Sequence, residues 1–365
     1  MVFDRVKMGL GCIDLTRENS EIIDQAIEKG IRCFDTSDCY GPAHESEIAL
    51  GEKLKNHDRN SVIICTKVGV QFKADGIHLD GTPEYIASSC DASLKRLQTE
   101  YIDLYYLHRV DPKTPIEESV KALKRLVEAK NINHIGLSEV SADQIRRAHK
   151  IHPITAVQIE YSPWSRQDEN NAVIETCRQL HIAVVAYSPL GRAFFTKQSR
   201  AYFEELPTND YRKRLPRYTG KNLEINFRLK QELAQIATVR GCTLAQIVLA
   251  WEMAKGIIPI PGITKLDNLE ENIHACVLRL SSSVVAVIDM ALNRSKFAGL
   301  RYPSVQDSAI YPEEKEAAEV TKSSSAKSLV FYSAGALAAG LLFARIANTT
   351  ITPSVSFNLG ARNAR

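Results

Sequence analysis

The chain lacks any CxxC pair, and none of its 8 cysteines stands with histidine at an interval that would grip zinc. They are scattered at positions 12, 33, 39, 65, 90, 177, 242 and 276, as small core hydrophobes of a reducing compartment would be. Charge of one sign is also missing. Lys and Arg number 46 against 43 Asp and Glu, for a formal +3, and the basic residues form no cluster. A track for a phosphate backbone is therefore not expected, nor is nucleic acid as a partner. The first residues, "MVFDRVKMGLGC", show no basic stretch followed by an apolar one, so no secretory signal is expected.

What is present is an ordinary globular composition, 44% apolar and 24% charged over 365 residues, enough for one barrel-sized domain or two smaller ones. Short apolar, β-branched runs alternate with amphipathic stretches. The runs are "VKMGLGCI" (6–13), "RCFDTS" (32–37), "SVIICTKV" (61–68), "IDLYYLH" (102–108), "INHIGLSE" (132–139), "AVQIEY" (156–161), "IAVVAYSP" (182–189) and "IIPIPG" (257–262). Helix-period segments such as "SEIIDQAIEKG" and "PIEESVKALKRLVEAK" lie between them. Runs that are apolar throughout suit parallel strands buried on both faces, and eight of them alternating with helices predict a closed (β/α)8 TIM barrel. A doubly wound open sheet is the competitor, but "GLGCIDLTREN" after the first run lacks the GxGxxG order such a sheet would carry.

In a barrel the chemistry projects from the C-terminal strand ends. Reading those ends gives Asp35 after the second strand, Tyr40 in the loop beyond, Lys67 on the third and His108 on the fourth. Each alone has an ordinary reading: turn former, packing ring, rim lysine, core histidine. Together they describe a site for an alkoxide as it forms. Lys67 would pair with Asp35 and lower the pKa of Tyr40, which could then give a proton to a carbonyl oxygen that His108 orients. The segment 190–224 is too polar and too broken by proline and glycine for core, and is expected to form a cofactor or substrate lid.

The motifs "FDTSDCYG", "ICTKVG", "IDLYYLHRVD", "GLSEVS", "AVQIEYSPWSR", "VVAYSPLGR" and "IPIPGITKLDNLEENI", in this order, resemble the aldo-keto reductase family over residues 6–300. They are most similar to its single-chain NADP-dependent branch. The resemblance implies an enzyme that reduces a small carbonyl substrate with NADPH, Tyr40 being the proton donor supported by Lys67 and Asp35. It implies that Ser138 and Gln158 hold the nicotinamide carboxamide and that Tyr187 stacks on the ring. The backbone of Ser188, Pro189, Leu190, Gly191 and Arg192 would meet the pyrophosphate. Gly262 and Lys265 would receive the 2′-phosphate, and Glu271 with Asn272 the adenine. "GITK" before a helix fits that reading, since it offers amides and a cation to a dianion. Two departures stand out: Ala193 and Lys197 replace loop glycines, and the N-terminal hairpin that commonly plugs the barrel base is shortened. Trp164 and Tyr161 could form an apolar substrate wall or pack in the core.

Residues 1–305 are thus expected to form the barrel, 306–327 a polar linker, 328–345 a hydrophobic segment and 346–365 a tail. The run 328–344 carries no charge. As a helix it would be about 26 Å long, at the lower limit for a bilayer. A membrane anchor on a cytoplasmic barrel and a fully soluble chain both remain open, as does oligomeric state. Two other functions compete with reductase chemistry. A cofactor-sensing regulatory subunit would not need Tyr40, and a Schiff-base lyase using Lys67 would not need the "IPIPGITK" loop.

Overall fold

Apolar runs bounded by turn residues become strands here because both of their faces are covered. The computed structural model describes residues 3, 6–73, 75–170, 172–295 and 297–303. In chain order the barrel strands are β1 (Leu10–Gly11), β2 (Cys33–Asp35), β3 (Ile63–Val68), β4 (Ile102–Leu107), β5 (Ile132–Ser138), β6 (Ile154–Glu160), β7 (Ala183–Tyr187) and β8 (Ile257–Pro259). They form one 8-stranded sheet in sequence order, each pair parallel. The sheet closes on itself. Gly11 bridges Gly262, and the amides of Gly9 and Gly11 donate to Pro259 O and Pro261 O, both at 3.0 Å. Glycine is required at this seam, because a Cβ on residue 11 would lie 2.7 Å from Ile260 O. The expected (β/α)8 barrel is therefore what forms.

The covering helices are α1 (Glu21–Glu28), α2 (Glu45–Leu54), α3 (Pro83–Leu97), α4 (Ile116–Glu128), α5 (Ala142–Ile151), α6 (Val173–Gln179), α7 (Gly220–Val239), α8 (Leu244–Ala254), α9 (Leu266–Ala275) and α10 (Ser282–Arg294). Several starts are fixed by local chemistry. Thr82 caps α3 ahead of Pro83, and capping boxes pair Ser141 with Gln144 on α5 and Thr243 with Gln246 on α8. On α4 the spacing of Ile116, Val120 and Leu123 turns one face onto the sheet, where all three are buried.

Alternation along the strands makes two cores. Outward residues such as Phe34, Ile64, Tyr105 and Val157 pack under the helices. Inward residues Cys33, Cys65, Leu104, Tyr106, Ala156, Val185, Ile258 and Ile260 fill the barrel, joined by Phe3. Among the described N-terminal residues, Phe3 enters that interior and Val6 packs against it. Gly136 on β5 leaves room for Tyr106, whose ring would lie 2.3 Å from an added Cβ.

Two elements depart from expectation. A hairpin, Val70–Lys73 with Gly76–Leu79, follows β3; its signal was the apolar alternation of Val70 and Phe72 before Asp75 and Gly76. The segment 190–224 is not a polar lid without a core. Phe194, Phe195, Phe203, Leu215 and Tyr218 are buried there, and Trp164 stacks on Phe194 at 4.3 Å. Its polar composition concealed an aromatic cluster, because a few large rings bury as much surface as a longer aliphatic run.

Among the described residues no single helix is long and apolar enough to cross a membrane. The candidate linker, the hydrophobic segment 328–345 and the tail lie outside the described residues.

Candidate active site

The two-residue period that puts Cys33, Cys65, Leu104, Ala156 and Val185 inside the barrel also turns Asp35, Lys67, Gln158 and Tyr187 inward, one step nearer the C-terminal mouth. Leu104, Tyr106 and His108 continue the same parity on β4 and just past it. The catalytic candidates thus form the next layers above the interior core, and no loop has to carry them except at Tyr40.

Lys67 is fully buried and has three acceptors: Asp35 Oδ1 at 2.5 Å, Thr36 O at 2.7 Å and Tyr40 Oη at 3.1 Å. Gln158 Nε2 donates to the other Asp35 oxygen at 2.8 Å. Burial alone would lower the Lys67 ammonium, but Asp35 and Tyr40 outweigh it and hold its pKa above the ordinary lysine value. His108 packs edge to face on Tyr40, ring centroids 5.9 Å apart. Burial, with Arg109 and Lys67 nearby, holds His108 well below the ordinary histidine value, so the imidazole is neutral.

The expected lowering of the Tyr40 pKa is not found. Burial pushes the phenol up to about 12, and the pull of Lys67 only moderates that rise. Desolvation of the phenolate exceeds the attraction of one ammonium whose charge is already shared with Asp35.

Ser138 and Gln158 end up side by side as register partners on β5 and β6, and Arg109 Nη1 donates to Ser138 Oγ at 3.0 Å. Tyr187 ends β7, its hydroxyl met by the Arg301 guanidinium. The turn after it holds Ser188 at φ 51°, Gly191 at φ 53° and Arg192 at φ 51°. Ala193 follows at φ 71°, a left-handed conformation that glycine adopts without strain, so the departure noted there has a backbone cost. Gly262 follows β8 at the closing seam, Lys265 is exposed as the residue before α9, and Glu271 and Asn272 lie within that helix. Trp164 and Tyr161 are core residues, 1% and 0% exposed, with Tyr161 stacked on Trp251. They form no substrate wall.

One network was not legible in the sequence. Glu160, at the end of β6, receives Arg192 and Arg301, each at 2.9 Å, and Ser165 Oγ at 2.9 Å. Burial would raise this carboxyl, yet Arg192, Arg301 and Arg217 together draw it down to about 2. Arg301 also pairs with Glu139 at 2.8 Å. The partners come from distant parts of the chain, and although Glu139, Glu160, Ser165 and Arg192 fell inside quoted motifs, Arg217 and Arg301 did not.

The aldo/keto reductase family profile matches residues 7–293. The chain is 43% identical over 312 residues to probable aldo-keto reductase 1 of Glycine max, spanning 82% of this chain and 89% of that protein. The chain belongs to the aldo/keto reductase family. Among solved structures, this family member is similar to the glycerol dehydrogenase AKR11B4 from Gluconobacter oxydans, with TM-score 0.74 and 25% identity over 80% of this chain and 93% of that one. It is also similar to the holo form of aldo-keto reductase AKR11C1 from Bacillus halodurans, with TM-score 0.67 and 25% identity over 81% and 94% of the two chains. Members of the family generally reduce carbonyl compounds with nicotinamide cofactors, which makes this chain an oxidoreductase by descent.

Proposed function

We propose that the protein reduces an aldehyde or ketone to the alcohol with NADPH, Tyr40 giving the proton. The observation that carries this reading is the Lys67 ammonium 3.1 Å from Tyr40 Oη, itself locked against buried Asp35. Tyr40 keeps its proton through neutral pH and yields it only to an oxygen on which negative charge is developing. As the proton leaves, Lys67 faces the phenolate, and His108 stands beside it to orient the substrate oxygen.

The residues present fit a dinucleotide. Ser138 and Gln158, adjacent in register, would hold a carboxamide, Gln158 using the oxygen that its bond to Asp35 leaves over. Tyr187 would stack on the ring, and the left-handed turn from Ser188 to Arg192 would turn amides toward the pyrophosphate. Lys265, exposed ahead of the unpaired amides of α9, suits the 2′-phosphate, with Glu271 and Asn272 further along the helix for the adenine. When bound, NADPH supplies the hydride.

A lyase reading is disfavoured, because Lys67 has an acceptor for each of its three N–H groups and is held in the ammonium form, with no lone pair for a carbonyl carbon. No observation favours a cofactor-sensing subunit.

The test is NADPH oxidation with an activated aromatic aldehyde. Wild type should turn over, and Tyr40→Phe should lose activity by about 10²-fold or more while still binding NADPH. Loss of both turnover and binding would make Tyr40 structural, and an inactive wild type would remove the reductase reading. Lys265→Ala should raise KM for NADPH about tenfold with little change for NADH; an equal change for both would remove the phosphate role.

A further inference from the structure

His108 meets its neighbours through one ring nitrogen. Nδ1 lies 3.2 Å from Ser37 Oγ and 3.7 Å from Cys39 Sγ, while Nε2 has no hydrogen-bond partner among the described residues. Ser37 Oγ is in turn 3.2 Å from Asp38 Oδ1 and receives the Cys39 amide at 3.4 Å. The row from Asp38 through Ser37 to His108 is buried, at 4%, 0% and 9% exposure. A serine hydroxyl has one proton to give and two lone pairs, so it cannot donate to both Asp38 and His108.

Cys39 Sγ also lies 3.3 Å from Ser37 Oγ, but a thiol is a weak donor and stands farther from Nδ1 than the serine does, so Ser37 is the stronger partner of the ring and can link Asp38 to Nδ1 in two arrangements. With Asp38 ionised, Ser37 donates to the carboxylate and accepts from Nδ1–H. The neutral imidazole then carries its single proton on Nδ1, and Nε2 presents a lone pair. With Asp38 protonated, the acid donates to Ser37, Ser37 donates to Nδ1, and the imidazole proton resides on Nε2. Only the second arrangement offers a donor to a carbonyl oxygen beside Tyr40.

We propose that Asp38, acting through Ser37, decides which nitrogen of His108 carries the proton, and is thereby a positioning residue that enables carbonyl reduction when protonated and weakens it when ionised. The inference rests on the reading of His108 as the group that orients the substrate oxygen.

The surroundings favour the protonated form near neutrality. Asp38 faces Glu47 from α2, Arg96 and Tyr85 from α3, Lys67 from β3, Tyr105 from β4 and Cys39 beside it. Arg96 is engaged by Glu47 Oε2 at 2.6 Å, and Glu47 Oε1 takes the Thr66 hydroxyl at 2.6 Å, so Glu47 is the acid that is provided for. Burial, with Glu47 adding to it, pushes Asp38 up to about 8. Cys39, pushed up to about 11, stays a thiol through that range. The turnover number should therefore be full below this value and fall as pH rises through about 8.

The experiment is nitrogen NMR of ¹⁵N-histidine-labelled protein on either side of that pH, with the His108 signals assigned by their loss in His108→Gln, beside the pH profile of kcat. Wild type should pass from Nε2–H to Nδ1–H as pH rises. Asp38→Asn, which has no acid to titrate, should hold one tautomer and lose the inflection in kcat; Ser37→Ala should uncouple the two, and Ser37→Thr, keeping the hydroxyl, should restore the switch. A wild-type tautomer that does not change, or an unaltered inflection in Asp38→Asn, would overturn the relay. Because the NMR readout needs no turnover, a tautomer switch in a protein without reductase activity would sink the catalytic reading alone.

Discussion

At the scale of the residue, Lys67 shows how burial and pairing must be weighed together. It is wholly enclosed, and each of its N–H groups has an acceptor. Lys67→Met would leave the Asp35 carboxylate buried with only Gln158 as donor. Breaking a buried pair from one side should cost about 3–5 kcal/mol, read as a lower urea midpoint, alongside loss of turnover. Adding Asp35→Asn should recover part of the stability and none of the activity; a single variant as stable as wild type would mean that Asp35 simply takes up a proton. The partnership of Asp35 with Lys67 was legible, because both types stand at adjacent strand ends. The direction of the Tyr40 shift was not, since a linear sequence names the ammonium but hides how little water reaches the ring. Gln158 was read for the cofactor, and its bond to Asp35 depends on an inward parity shared by β2 and β6.

At the scale of the element, the strands were read well, because a run that is apolar on both faces has few other stable uses. Helix α8 illustrates the opposite. Its "LAQIVLAWEMA" is buried nearly all round, and Glu252 lies in it with both carboxylate oxygens unpartnered. A lone acid on a helix ordinarily reads as a solvated face, so nothing in the sequence singled it out. Burial raises its pKa well above the ordinary glutamate value. The folded state thus binds a proton that the unfolded chain releases. The group's contribution is fullest below the ordinary glutamate range and is lost as pH rises toward its folded value. Glu252→Leu should stabilise the protein at neutral pH by about 1–3 kcal/mol and flatten this part of the pH dependence, as urea midpoints at several pH values would show. A destabilised variant would point to a partner of the carboxyl other than solvent.

At the scale of the whole molecule, the family profile and the closed barrel account for residues up to about the end of α10, and the charge-free run beyond them poses a separate question. An anchor at residues 328–344 and a soluble chain are the two alternatives, and a bilayer tether makes a definite prediction. Deleting residues 325–365 should then move the protein from the membrane pellet to the supernatant without loss of turnover. An unchanged distribution on carbonate extraction would dismiss the tether.

The seam between Gly11 and Gly262 also bears on how the chain is made. These residues are separated by roughly 250 positions, so on the ribosome β1 must wait, paired on one side only, until most of the protein has emerged. An open parallel edge is a template for the wrong neighbour. Here the strands that meet last are also among the shortest, β1 with 2 residues and β8 with 3. The β1 edge of a nascent barrel therefore exposes very little backbone for a second copy to add to, and the brevity of that strand protects this edge during the interval before the barrel can close.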